Sequence, residues 1–246
     1  MHQFFVESGQ VSQTEIEIIG NDVNHVKNVL RMKQGEHVRI SDEAGETWFC
    51  ELDTIKEQKV TARILYKEKE NSELPSKIYL FQGLPKGDKM EWIIQKTVEL
   101  GVFEVIPVAM RNCVVKLDEK KAASKVKRWQ TIAESAAKQA KRSLIPNIHP
   151  VMDFKGALEY AKDFELNLLP YENESGMGYT RQIIGNMDHP QNIGVFIGPE
   201  GGFAQTEIDE VMENENIKRL SLGKRILRTE TAGITMLSIL LYHLED

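Results

Sequence analysis

The sequence predicts an α/β protein in two parts, a small N-terminal β-barrel over residues 1–72 and a larger α/β domain over residues 73–246. Three observations carry this. Strand-like runs crowd the first seventy residues, a polar stretch with a proline follows, and short apolar runs then alternate with helical patterns.

In the first part, "NDVNHVKNVLRM" (21–32) reads as a short helix with Asn21 as N-cap and an apolar stripe of Val23, Val26, Val29 and Leu30. Strands follow at His37–Ser41, Thr47–Ile55 and Val60–Tyr66, separated by turn signals at Asp42–Gly45 and Lys56–Gln58. A helix packed on antiparallel hairpins makes a barrel-like domain. "KEKENSELPSK" (67–77), polar and broken by Pro75, is the linker.

The second part opens with the buried strand "IYLFQGL". A helix then starts near Asp88, a fitting cap, and closes at Gly101. "VFEVIPVAM" is the next strand. A basic helix from about Ala122 to Arg142 ends before Pro146, and "ELNLLPYE", "NIGVFIG" and "IKRLSLG" complete the strands. Apolar strands separated by helices imply a parallel sheet covered on both faces.

Composition bounds the function. With 41% apolar and 28% charged residues the chain is an ordinary soluble globular protein. "MHQFFVESGQ" has no signal-peptide pattern, and the longest apolar run, Met236–Leu244, is far short of the ~20 residues that span a bilayer. A cytoplasmic protein is expected. Cys50 and Cys113, 63 residues apart and without a CxxC partner, read as reduced core thiols, and the scattered histidines offer no metal spacing. Net charge is −6, yet residues 111–146 carry 10 basic against 3 acidic side chains. That stretch is either one solvated lysine-rich helix or a face that tracks phosphates, which needs local rather than global positive charge.

Ligands of open α/β sheets collect beyond the carboxyl ends of strands. Three such ends here are unusual: "LLPYE" (168–172), "FIGPEGGFAQTEID" (196–209) and "LSLGKRILRTETA" (220–232). None is a phosphate loop: GxxxxGK[ST] is missing and "GPEGG" lacks the GxGxxG spacing. "GPEGG" is either a tight turn or a loop whose bare backbone approaches a ligand. The helix after it takes Thr206 as cap, with Asp209 three residues on.

"IGPEGGF", "LSLGKRILRTETA" and the upstream "QKTVELGV" together resemble the RsmE family of 16S rRNA uridine-N3 methyltransferases, within the SPOUT superfamily of knotted S-adenosylmethionine-dependent enzymes. "HVKNVLRMKQGE" resembles its N-terminal PUA-like RNA-binding barrel. Family members often carry Ser or Thr just after "GPEGGF", where this chain has Ala204.

The resemblance implies a C-terminal trefoil knot, S-adenosylmethionine as methyl donor without a metal, and a homodimer with the last helix in its interface. It places Leu169, Gly198, Pro199, Glu200, Gly201, Gly202, Leu222, Gly223, Leu227 and Thr229 around the donor. His25 and Arg31 fall in the RNA-binding module, and Arg111, Lys138 and Arg142 belong to the basic stretch. The expected partner is 16S rRNA within the 30S subunit, with no membrane.

Uridine N3 carries a proton, so its methylation needs alignment and stabilisation of charge spreading onto O2 and O4. Arg228 is the expected charge stabiliser, or else it pairs with Glu230 to tie the loop down. Glu230 or Glu200 accepts the proton, unless Glu230 only favours the helix start. Three rivals stand beside this: a non-catalytic rRNA-binding or assembly factor, a related enzyme with another RNA target, and an oxidoreductase, which the missing GxGxxG disfavours.

Overall fold

Alternation of apolar and polar residues builds the first sheet. The computed structural model describes residues 1–69, 72–174, 176–214 and 216–245. They form two units, Met1–Glu73 with Ala137–Ile145, and Leu74–Ala136 with Pro146–Asp246.

In the first unit the strands are β1 (His2–Val6), β2 (Glu15–Ile19), β3 (His37–Asp42), β4 (Thr47–Ile55) and β5 (Lys59–Lys67). They run in the order β1-β3-β4-β5-β2, with β1 parallel to β3 and the other pairs antiparallel. Alternate residues Val38 and Ile40, Cys50 and Leu52, Val60 and Ala62, and Ile16 and Ile18 point into one core with Phe4. The end strands β1 and β2 approach each other, giving the expected barrel-like curl.

The short helix departs from expectation. Helix α1 (Asn21–Asn24) is capped by Gly20, not Asn21, and runs into a π-turn at His25–Val29, where the Leu30 N–H donates to the His25 carbonyl at 2.8 Å. The extra residue in that turn shifts the helical phase. Val23 and Val26 therefore remain in the core while Val29, predicted on the same stripe, is 63% exposed.

The second unit holds β6 (Lys77–Gly83), β7 (Glu104–Ala109), β8 (Asn147–Ile148), β9 (Met152–Asp153), β10 (Leu166–Pro170), β11 (Asn192–Ile197) and β12 (Ile217–Leu220). Every pairing is parallel, in the order β12-β10-β11-β6-β7-β8, with β9 also on β7. Central strands β6 and β11 are near-continuous apolar runs, joined by Phe81 stacked on Phe196 at 4.3 Å.

Around the sheet lie α2 (Lys89–Glu99), α3 (Glu119–Ala140), α4 (Phe154–Tyr160), α5 (Gly178–Gly185), α6 (Gln205–Met212) and α7 (Thr229–Leu244). Helix α3 begins and ends earlier than expected. Lys141 takes a left-handed φ of 58° and the Arg142 N–H returns to the Ala137 carbonyl at 3.0 Å, a Schellman stop well before Pro146. At α2 the same motif, with Gly101 at φ 88° and the Val102 N–H on the Thr97 carbonyl, closes the helix where predicted.

Candidate active site

Neighbouring strands β12, β10 and β11 end side by side at Leu220, Pro170 and Ile197. The three loops leaving them enclose a cavity of about 370 Å³, completed by the start of α7 and by Lys89 of α2. Its volume falls within the range of small-molecule sites, ~300–1,000 Å³.

Hydrogen bonds between the walls fix their shape. Thr229 Oγ1 donates to the Gly198 carbonyl at 2.6 Å and accepts from Gln82 Nε2 at 2.8 Å. Thr180 Oγ1 donates to the Ser221 carbonyl, and the Tyr171 N–H donates to the Leu220 carbonyl. The turn Pro199–Gly202 closes through a Gly202 N–H to Pro199 carbonyl bond at 2.9 Å, and Asn112 Nδ2 donates to the Gly201 carbonyl. Two glycines are needed for conformation, since Gly202 has φ 66° and Gly223 has φ 115°.

The charged groups pair through a lysine that the sequence reading did not single out. Glu230 does not pair with Arg228. Its Oε2 lies 3.3 Å from Lys89 Nζ, which also holds Glu200 Oε1 at 2.9 Å. The Lys86 backbone N–H donates to that same Glu200 oxygen at 3.1 Å. Burial pushes the Glu200 carboxyl up, but hydrogen bonds from Lys89 and the backbone outweigh it and hold the group below the usual carboxylate range. The Arg228 side chain, exposed at the cavity wall, makes no hydrogen bond or ion pair among the described residues.

Of the residues expected around a ligand, Gly198, Pro199, Glu200, Gly202, Leu222, Gly223, Leu227, Arg228 and Thr229 line this cavity. Leu169 is fully buried inside β10, and Pro170, Tyr171 and Glu172 form that wall instead. Gly201 sits against Asn112, and Glu230 stands behind Lys89. Helix α6 is not capped by Thr206. Its cap is Ala204, whose N–H donates to Glu207 Oε2 at 2.8 Å, while Glu207 Oε1 accepts the Arg111 N–H. Reading the sequence missed Lys89, whose signal was a cation in a helix's first turn, where the dipole favours acids.

Two of the expected RNA-contacting residues, His25 and Lys138, approach the same Asp22 carboxylate. His25 is half-buried in the π-turn and Arg31 is exposed with φ 53°. Arg111 is exposed in the second unit. Lys138 is paired with Asp22 at 3.1 Å. Arg142 is no surface cation: it is 3% exposed, and its Nε lies 3.0 Å from both Glu73 carboxylate oxygens. Both cysteines are free and buried, and burial pushes the Cys50 thiol up to about 12, so neither is poised as a nucleophile. Among the described residues no cluster could hold a metal ion, and no helix is long and apolar enough to cross a membrane.

Comparison with known proteins adds to this geometry. The RNA methyltransferase domain family matches residues 72–241 and the RNA methyltransferase PUA domain matches residues 18–65. Ribosomal RNA small subunit methyltransferase E of Bacillus subtilis is 37% identical over 100% of this chain and 98% of its own. The protein of the same name from Mesomycoplasma hyopneumoniae is 35% identical over 97% and 98%. A crystal structure of the Neisseria gonorrhoeae enzyme of that name, bound to S-adenosyl methionine, superposes with a TM-score of 0.84 at 31% identity, covering 97% of this chain and 95% of that one.

Proposed function

The chain belongs to the ribosomal RNA small subunit methyltransferase E family, and from that premise we propose that it moves the methyl group of S-adenosylmethionine to N3 of one uridine in 16S rRNA. The observation that carries the proposal is the cavity at the ends of β10, β11 and β12, with backbone-rich walls and, on its rim, a guanidinium unpaired among the described residues.

The walls suit a nucleoside-sized donor. Gly202 and Gly223 leave bare backbone for amide and carbonyl contacts, Leu222 and Leu227 offer apolar surface to a ring, and the Glu172 carboxylate offers acceptors to ribose hydroxyls. When bound, the donor supplies a sulfonium-activated methyl group, which needs no metal. The protein's task is then to orient the uracil, take its N3 proton and stabilise the resulting anion. Arg228, always protonated and with no side-chain partner among the described residues, donates in this reading to a uracil carbonyl oxygen as charge develops there.

The first unit grips RNA in this reading, with His25 and Arg31 as contacts. The acidic chain favours a folded ribosomal particle in the cytoplasm over naked RNA, because shape then supplements phosphate. The reading includes a trefoil knot in the second unit and a homodimer. Membership of the family supports the first. The apolar surface left on α7 supports the second.

Mass mapping of 16S rRNA from cells with and without the protein tests the function. Loss of one 3-methyluridine is the expected result, and an unchanged rRNA profile would sink the proposal. Equal rates on protein-free 16S rRNA and on 30S subunits would overturn the preference for the particle.

A further inference from the structure

Uracil presents an imide, two carbonyl oxygens flanking N3–H. Removing that proton spreads one negative charge over N3, O2 and O4. A receptor for this group needs donors for the two oxygens and an acceptor for the proton between them; the cavity wall carries the donors and the carboxylate of Glu230 stands behind it. An ammonium has three N–H donors. Lys89 donates one to Glu200 Oε1, 2.9 Å away, and lies in ion-pair range of Glu230 Oε2, 3.3 Å away, which leaves a donor for the cavity it lines. The guanidinium of Arg228, on the same cavity, has all its donors unspent among the described residues. Glu200 is a poor acceptor, since one of its oxygens already serves both Lys89 and the Lys86 backbone N–H. Among the described residues, Glu230 Oε2 is buried without a hydrogen bond and has only the ion pair with Lys89.

Resting on the uridine-N3 reading, we infer that Lys89 is a catalytic residue of the methyl transfer: its free N–H donates to one uracil carbonyl oxygen while Arg228 serves the other. The N3–methyl bond forms as the carbon–sulfur bond breaks, with its electron pair left on sulfur. The N3 proton passes through water to Glu230, which stands behind Lys89 and not on the cavity wall. A cation beside the imide makes the anion accessible at lower pH, and the two carboxylates behind Lys89 hold it in place.

Other charges face this group. From the segment before α7 come Lys224, Arg225 and Arg228, and from the loop after β10 come Tyr171 and Glu172. The cations remain when Lys89 is replaced, so the change isolates the one ammonium that is buttressed on two sides. Lys224, Arg225 and Arg228 are all exposed, and Arg219 is the nearby cation already paired, with Glu174.

The test compares unaltered protein, Lys89→Met, Lys89→Arg and the double variant Lys89→Met, Glu200→Gln on 30S subunits, reading kcat against pH and S-adenosylmethionine binding by calorimetry. Lys89→Met is expected to lose roughly 10²–10³ in kcat, the effect of deleting one donor to a developing anion. Its pH profile should move upward by about one unit, with donor Kd changed less than about threefold, since a lost cation acts on the anion and not on the donor. Lys89→Arg should keep the wild-type profile. The double variant removes the carboxylate repulsion left by the single change and should shift the profile equally, which keeps the test decisive if the single variant folds poorly. An unshifted profile in either Met variant overturns the role of Lys89 alone. No methyl transfer by the unaltered protein overturns the uridine-N3 reading and this inference together.

Discussion

Thr229 Oγ1 donates a 2.6 Å hydrogen bond to the carbonyl oxygen of Gly198, tying the first residue of the last helix to the glycine loop 31 positions earlier. The same oxygen accepts from Gln82 Nε2, so one hydroxyl links β6, the β11 loop and α7. Thr229→Val keeps the shape and deletes both bonds, leaving one N–H of the buried Gln82 amide without a partner while the other keeps the Gly83 carbonyl. A loss of about 1–3 kcal/mol in unfolding free energy is expected, with donor binding weakened about tenfold, as measured by denaturant titration and calorimetry. Unaltered donor affinity would show that the loop does not depend on this tie.

Glu200 sets a pH limit on the same loop. Its folded-state carboxyl is held below the ordinary range, so it stabilises the fold above the ordinary carboxylate pKa. That contribution fades as pH falls through the lowered value, because the unfolded state then binds the proton more readily. Glu200→Gln should therefore lower Tm near pH 7 and flatten the acid limb of the Tm profile. Parallel wild-type and variant profiles between about pH 3 and 5 would count against the pairing with Lys89.

Arg142 was expected from charge clustering to meet RNA and is instead a buried clamp on Glu73. Glu73 also accepts the Ser143 and Leu144 N–H groups. Removing one partner of a buried pair strands the other, so Arg142→Ala should cost about 3–5 kcal/mol. Arg111→Ala, at an exposed site, should leave Tm within about a degree and lower the salt dependence of RNA binding. A drop in salt slope for Arg142→Ala without loss of stability would reverse this assignment.

Period-two and helical patterns made β3 to β7 and α2 legible, because burial on one face leaves its mark on neighbouring residues. The glycine-rich ends of β11 and β12 were legible for a related reason, since Gly202 and Gly223 hold backbone angles that other residues resist. What stayed hidden depends on partners distant in sequence. Nothing local says that Arg142 meets Glu73, or that Lys89 meets Glu200 and Glu230. The π-turn at His25–Val29 inserts one residue without any composition cue, and this put Val29 on the wrong side of the predicted stripe. The resemblance places Leu169 at the cavity; it and Leu168 are both fully buried because β10 is covered on both faces, and Pro170, the last residue of the strand, is the one that lines the cavity.

Gly223 holds φ 115° with open space where a Cβ would stand, so a substitution there meets backbone strain and no clash. Gly223→Ala should cost about 1–3 kcal/mol, much of it relieved by distortion of the loop. Donor affinity is then expected to fall at least tenfold while the Tm changes by a few degrees. Equal affinity in the variant would remove this loop from the donor site.

Helix α7 bears on assembly. Its buried side holds Gly233, Met236, Leu237, Leu240 and Leu244, and α2 packs against it. Its other side is also apolar: Ile234, Ile239 and Leu241 are half-buried and Tyr242 is 89% exposed, while Trp92 of α2 is 47% exposed. A monomer would leave that surface in water, whereas a two-fold dimer buries it twice. Tyr242→Glu places a charge on the surface and leaves the intramolecular core untouched. Light scattering should then show a dimer for the unaltered chain and a shift to monomer for the variant at equal concentration. A variant that stays dimeric would place the interface elsewhere.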